Sequence, residues 1–296
     1  MMNKSKAASE SGLASAWRRH ERRWEDTCYV YAVVSRRSRG VSIGINLNPD
    51  NACNFECIYC QVNRGESAAC PKVEMKRLEQ EIEKILRAES DGTLYQASPF
   101  DLLSEAERGV RDIAFSGNGE PTAYAGFLEA VRIAARAREH FRLNSAKIVL
   151  LTNASYLDRP AVREALAIMD ENNGEIWAKL DAGTEKYFRR VNRAHAPLDR
   201  ILRNILGAAK KRPLIIQTLL LRINGAALPP DEIEAYCERL NGILSSGGKL
   251  KAVQLYTIAR DPAEAYASAL SNDELDRIAA LVKNRVPIPI DVFYSR

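Results

Sequence analysis

Short runs of strand periodicity alternate with longer runs of helical periodicity, and this order constrains the fold of the chain more than any other feature. Val41, Ile43, Ile45 and Leu47 recur at every second position between Ser42, Gly44 and Asn46, the period of a strand. From Lys72 to Ala88, Met75, Leu78, Ile82, Ile85 and Leu86 keep the spacing of one helical face. The pattern then predicts a strand near 111–116, a helix over 124–139, a strand over 147–151 and a helix over 158–169 with Asp158 as N-cap and Pro160 in its first turn. It continues with strand 175–180, helix 198–209, strand 214–220, helix 231–244, strand 251–257 and helix 273–284, which makes six β/α units.

Strands alternating with helices imply a parallel sheet, because each right-handed crossover returns the chain through a helix. Six units are too few for the closed eight-stranded barrel. An open doubly wound sheet and a partial (β/α)6 TIM-like barrel, a parallel sheet with outer helices, both satisfy the pattern. In either, the chemistry belongs at the C-terminal ends of the strands. Of the 296 residues 46% are hydrophobic, enough for a full core. No window approaches the ~20 apolar residues of a membrane helix, and no apolar signal region opens the chain. A cytoplasmic protein without a membrane partner is expected.

The net charge of +5 is local: residues 1–40 hold nine Lys or Arg against four acids, so the remainder balances to zero. Residues 1–34 read as a basic, flexible leader and 35–296 as the core domain. Arg18, Arg19, Arg22, Arg23, Arg36, Arg37 and Arg39 suit phosphate contact, although solvated basic leaders are common.

Three of the six cysteines crowd into eight residues, Cys53-Asn-Phe-Glu-Cys57-Ile-Tyr-Cys60, directly after the first strand. In a cytosolic chain that crowding points to metal. Three close thiolates suit an iron–sulfur cluster, whose fourth iron then stays open to a small ligand, or zinc with Cys70 as fourth ligand. Cys237 falls in the apolar stripe of a helix and reads as core. Cys28 and Cys70 have no ligand set near them.

Other polar residues converge at strand ends. If Ile176, Ala178 and Leu180 face the helices, Trp177, Lys179 and Asp181 face the opposite side. The same alternation turns Gln254 and Tyr256 inward and places Thr152-Asn153 and Gln217-Thr218 at or near strand ends. Lys179 and Asp181 are candidate site residues, with a buried ion pair as their structural alternative. Ser116-Gly117-Asn118-Gly119-Glu120-Pro121-Thr122 closes the second strand as a glycine turn.

The run SRRSRGVSIGINLNPDNACNFECIYCQVNR, with GNGEPT, KLDAG and VQLYTIARDPAE, resembles the radical S-adenosylmethionine (SAM) superfamily over roughly residues 35–296. The likeness is strongest to the branch related to wyosine-forming tRNA enzymes and their uncharacterised bacterial relatives. It implies a [4Fe-4S] cluster on Cys53, Cys57 and Cys60, SAM as second cofactor, Tyr59 near the adenine, and an electron donor such as a flavodoxin or ferredoxin. It also implies that Gly117, Asn118, Gly119 and Glu120 receive the methionine amino group, with glycine required for close backbone approach, and that Thr152-Asn153 border the cofactor. Ala154 stands where relatives often carry glycine. Arg189-Arg190-Val-Asn-Arg193-Ala-His195 is similar to an Asn-Arg-Pro-His stretch, with Ala194 for the proline, and offers a basic loop for an anionic substrate.

The wyosine-forming relatives carry a second cluster on further N-terminal cysteines, whereas only Cys28 precedes the motif here. That departure argues against the same reaction. The resemblance therefore implies reductive SAM cleavage acting on an unassigned substrate, with RNA favoured by the leader. The alternatives are an activase that generates a radical on a partner protein and a zinc-binding structural module.

Overall fold

Strands and helices follow one another much as the periodicity requires, in a computed structural model that describes residue 16 and residues 27–65, 70, 72–260 and 262–295. Residues 1–15 and 17–26, most of the expected leader, lie outside the described residues. The described residues divide into two compact units: one from Met1–Asp50, Ala68–Leu150 and Glu164–Gly174, the other from Asn51–Ser67, Leu151–Arg163 and Glu175–Arg296.

The first unit contains β1 (Val30–Ser35), β2 (Gly40–Ile45), α1 (Met75–Ser90), β3 (Val110–Phe115), α2 (Phe127–His140) and most of β4 (Lys147–Thr152). β2, β3 and β4 are parallel neighbours, and β1 is antiparallel to β2. β1 falls partly within the expected leader and outside the β/α alternation. A hairpin partner added to a sheet edge needs no crossover helix, so the alternating pattern does not register it. Its start is held by the buried carboxylate of Glu81 in α1, which accepts the backbone N–H groups of Cys28 (2.8 Å), Tyr29 (2.7 Å) and Val30 (3.1 Å) and pairs with Arg77 at 2.9 Å. Of the predicted stripe of α1, Leu78, Ile82, Ile85 and Leu86 are buried and Met75, its first residue, is half-buried. Phe115 and Phe127 pack edge to face at 5.4 Å.

α3 (Pro160–Glu171) opens with the proline as its first residue. The capping position therefore falls on Arg159 rather than Asp158, which stands 3.6 Å from Arg200.

The second unit holds β5 (Gly174–Lys179), α4 (Glu185–Asn192), α5 (Leu198–Ala209), β6 (Leu214–Ile223), α6 (Pro230–Ser245), β7 (Leu250–Thr257), β8 (Ala267–Ala269), α7 (Asn272–Arg285) and β9 (Ile290–Phe293). β5, β6, β7 and β9 are parallel in that order, and β8 runs antiparallel along the end of β6. The alternation expected of β5 holds: Ile176, Ala178 and Leu180 are buried in one layer. On the other face Lys179 bonds Tyr256 (2.8 Å), and in the same layer Gln217 bonds Gln254 (2.9 Å). The fold class is α/β with a mostly parallel sheet.

The Lys179-to-Thr184 turn after β5 is held by α6. Glu232 in its first turn accepts the backbone N–H of Gly183 and, at 3.1 and 2.6 Å, the N–H and hydroxyl of Thr184. Gly183 touches the helix backbone so closely that an added Cβ would lie 2.1 Å from the amide nitrogen of Tyr236. Neither partner is a flexible side chain, so the contact has no easy escape. Gly183→Ala is expected to cost about 2 kcal/mol and to lower Tm by roughly 4–8 °C, measured by thermal denaturation followed by circular dichroism.

Candidate cofactor site

The cysteine loop after β2 has no regular hydrogen-bond ladder, so its polar groups must find other partners. Its anchors lie on either side of Cys57. The backbone N–H groups of Glu56 and Ile58 donate to the carbonyls of Asn192 (3.2 Å) and Val191 (2.9 Å) at the end of α4. Phe55 packs edge to face on Phe188 of the same helix at 5.7 Å. Further along, the carbonyl of Cys60 accepts the N–H of Ala263 at 2.8 Å, and Gln61 donates to the carbonyl of Arg260 at 3.2 Å.

The end of β4 fastens the loop from another side. Asn54 Nδ2 donates to Ser155 Oγ (2.8 Å), its Oδ1 accepts from Asn153 Nδ2 (2.9 Å), and Ser155 Oγ donates to Asn153 Oδ1 (2.6 Å). Thr152 Oγ1 accepts the N–H of Ala154 at 3.0 Å. Ala154 has φ +63°, the left-handed region that favours glycine. That explains physically why a glycine suits this position in relatives.

Cys53, Cys57 and Cys60 form no disulfide and are half-buried. Beside Cys57 lies a polar network centred on Asp181, whose side chain is fully buried. One carboxylate oxygen accepts from the hydroxyl of Tyr59 and from Asn192 Nδ2 (2.8 Å). The other accepts the N–H of Leu219 (2.8 Å) and lies 3.6 Å from Lys179 Nζ. Lys179 Nζ also stands 4.9 Å from the ring centre of Tyr59 and 5.3 Å from that of Tyr256. Asn192 Nδ2 reaches Tyr59 OH at 3.2 Å and Cys57 Sγ at 3.5 Å, while its Oδ1 is buried with no partner. Arg64 Nη2 lies 3.5 Å from Cys60 Sγ.

Burial, and then the charge of Asp181, push the Cys57 thiol up to about 11, against the pull of Lys179, Tyr59 and Asn192. The same two causes raise Tyr59 well above the ordinary phenol range, so its hydroxyl stays protonated. Burial works to lower Lys179, but Asp181 and Tyr256 outweigh it, and the ammonium is held well above its ordinary value. Lys179 and Asp181 are therefore an ion pair embedded in the site.

In the first unit the glycine turn has a local explanation. A Cβ on Gly117 would fall 2.4 Å from Asn46 Oδ1, an atom that also accepts the N–H of Asn118 at 3.1 Å. The close approach demanding glycine is thus to a side chain of the same unit. Glu120 is buried and accepts both the N–H (3.1 Å) and the hydroxyl of Thr122, which caps the short turn Pro121–Ala123.

The stretch expected as a basic loop is instead the last turn of α4 and the residues that follow it, and two of its arginines are engaged within the protein. Arg189 pairs with Glu185 (2.6 Å) and donates to the carbonyls of Ala194 and His195, and Arg193 pairs with Glu264 (2.6 Å) and Tyr266 (2.7 Å). Cys237 is buried as core, as its stripe predicts. Cys28 and Cys70 form a disulfide across 42 residues, which removes Cys70 as the fourth ligand of the zinc alternative.

The family model of the radical SAM superfamily matches residues 47–226, more than half of the chain, and the chain belongs to that superfamily. Two proteins named UPF0026 are similar: MJ1312 of Methanocaldococcus jannaschii is 27% identical over 204 residues, covering 65% of this chain and 54% of that protein. For slr1464 of Synechocystis the figures are 28% over 201 residues, 65% and 64%. A protein of Brachyspira hyodysenteriae named GTPase Obg is 24% identical over 269 residues, 89% of this chain and 35% of that protein. The chain thus spans between about a third and just under two thirds of these relatives.

Among solved structures, TYW1 with a lysine-pyruvate adduct bound has a TM-score of 0.54 at 18% identity, covering 93% of this chain and 81% of that one. Streptococcus suis SuiB bound to S-adenosylmethionine has a TM-score of 0.54 at 14% identity, covering 85% and 50%. These likenesses show the fold, the partial barrel of radical SAM enzymes. Membership places the chain in a superfamily of enzymes whose cofactors are a [4Fe-4S] cluster and SAM.

The donor set suits such a cluster, since three thiols uncommitted to disulfides share one fastened loop and N–H groups approach two of the sulfurs. Among the described residues no three His, Cys, Asp or Glu side chains gather tightly enough to surround a single ion. A cubane asks less of them, because each cysteine holds iron at a different corner. Among the described residues, no helix is long and apolar enough to cross a membrane.

Two outcomes follow from the network. In cluster-free protein at pH 8, Cys57, raised from 9 to about 11, is expected to alkylate about 100-fold more slowly than a thiol with an ordinary value, followed by peptide mass spectrometry. Asp181→Ala strands Lys179, Tyr59 and Asn192 without their acceptor and is expected to cost about 3–5 kcal/mol, measured by urea unfolding.

Proposed function

We propose that this chain is a radical SAM enzyme that holds its cluster on Cys53, Cys57 and Cys60 and cleaves SAM reductively to take hydrogen from a substrate. The observation that carries the reading is the loop itself: three thiols outside any disulfide, with the backbone pinned on both sides of Cys57 and a buried amide beside its sulfur. When bound, the cluster and SAM supply one electron and a 5′-deoxyadenosyl radical. Tyr59, Thr152, Asn153, Lys179 and Asp181, with Gly117, Asn118, Gly119 and Glu120 of the first unit, are proposed to bind the cofactors.

The chain's own residues set the conditions. Tyr59 is locked by its hydroxyl on Asp181, which fixes its ring for stacking. Lys179 brings a permanent positive charge that offsets Asp181 next to the thiolates. An ammonium held this firmly has no free lone pair. A lysine-pyruvate adduct like that of the TYW1 structure is therefore not proposed for Lys179, whose role is to bind an anionic group. Incubation with pyruvate followed by borohydride should leave the mass of the Lys179 peptide unchanged, and a stable adduct there would refute that role.

An RNA substrate is the finer reading, supported by the basic excess of residues 1–40. Its test is tRNA affinity at two salt concentrations before and after deletion of residues 1–26, a truncation that spares β1. The electron donor is proposed to be a flavodoxin or ferredoxin.

The central test is anaerobic reconstitution with iron and sulfide, reduction and addition of SAM. Cluster-dependent 5′-deoxyadenosine is expected from the wild type and none from Cys57→Ala. Stoichiometric zinc without iron or sulfide would overturn the reading.

A further inference from the structure

Asn192 is the last residue of α4, 2% exposed, and its side-chain nitrogen faces three acceptors: Asp181 Oδ2 at 2.8 Å, Tyr59 OH at 3.2 Å and Cys57 Sγ at 3.5 Å. Its amide orientation is dictated by Asp181, because an ionised carboxylate accepts only and so must face the nitrogen. The consequence is visible at the other end of the amide, where Oδ1 is buried without a partner. A buried acceptor left unsatisfied marks an orientation imposed by its surroundings.

The position of this nitrogen relative to Cys57 is also fixed. The carbonyls of Val191 and Asn192 accept the N–H groups of Ile58 and Glu56, the residues on either side of Cys57. Helix end and cysteine cannot move apart without breaking both bonds.

We propose that Asn192 is a positioning residue that donates one N–H to Asp181 and the other to the Cys57 sulfur, and so raises the reduction potential of the cluster. The inference rests on Cys57 being a cluster ligand. A protonated thiol is a weak acceptor, but a ligating thiolate is a strong one, so the bond to sulfur strengthens once Cys57 is ligated. Reduction adds one negative charge to the cluster, and a donor at a ligand sulfur favours the more negative state. Asn192 cannot titrate, so its contribution is constant with pH. It also separates two anions, the Asp181 carboxylate and the Cys57 thiolate, that would otherwise face each other.

The test compares reconstituted wild-type protein with Asn192→Leu, which keeps the branched shape of the side chain and removes the donor. At equal cluster content, redox titration followed by electron paramagnetic resonance is expected to show the ratio of reduced to oxidised cluster falling about tenfold at fixed potential, a one-electron shift of about 59 mV downward. A second measurement needs no variant. In wild type carrying asparagine labelled with 15N in the side chain, electron–nuclear double resonance of the reduced cluster should show a 15N coupling.

An unchanged potential in Asn192→Leu at full cluster content, or no 15N coupling in wild type, overturns the proposal. If Asn192→Leu fails to hold a cluster, the wild-type coupling decides. Cys57→Ala tests the footing separately, since a variant that keeps the complete cluster would remove Cys57 from the ligand set and the proposal with it.

Discussion

The second unit depends on one buried carboxylate. Asp181 lies just past the end of β5 and accepts from a tyrosine of the cysteine loop, an asparagine of α4 and a backbone amide of β6, with the ammonium of Lys179 beside it. A charge buried to this extent is tolerable only when opposed and fully hydrogen-bonded. The four groups therefore have little freedom to rearrange independently, and the elements that carry them are held in one arrangement. Tyr59 thereby stays protonated and Lys179 stays charged, which sets the electrostatics around Cys57.

The cysteine loop shows how an irregular segment is made rigid. Its order comes from its neighbours: two backbone bonds to the end of α4, an aromatic contact to the same helix, and the Asn54–Asn153–Ser155 triangle at the end of β4. A ligand loop assembled in this way can have its three thiols presented before any metal arrives, which reduces the ordering cost of binding. The turn after β5 is held by the same strategy, with Glu232 of α6 on its backbone amides and Gly183 against the helix.

Much of this was legible in the residues. The β/α order, the exact span of α5, the buried stripe of α1 and the alternation along β5 all follow from periodicity. β1 was not legible, because an antiparallel edge strand breaks no helical pattern and its anchor, Glu81, is about fifty residues away. Asn192 sat inside a stretch read for its arginines. Arg189 turns out to hold the carbonyls of Ala194 and His195 and Arg193 to pair with Glu264, while the asparagine between them faces the cysteine. The glycine at 117 was foreseen, but its local reason is the side chain of Asn46.

By itself the sequence determined the chemistry on offer: three thiols at a spacing suited to a cluster, in a loop after a strand, on a parallel α/β scaffold. These are short-range facts, set by which residues stand within one turn or one strand of each other. Only the tertiary structure decided which distant groups face that loop, pairing Cys70 with Cys28 instead of a metal and setting Asp181, Lys179 and Asn192 around Cys57. The physical reason is that hydrogen bonds and ion pairs act over a few ångströms, while the groups gathered around Cys57 lie up to 135 residues from it along the chain. Spacing in sequence carries no record of that proximity until the strands and helices have packed.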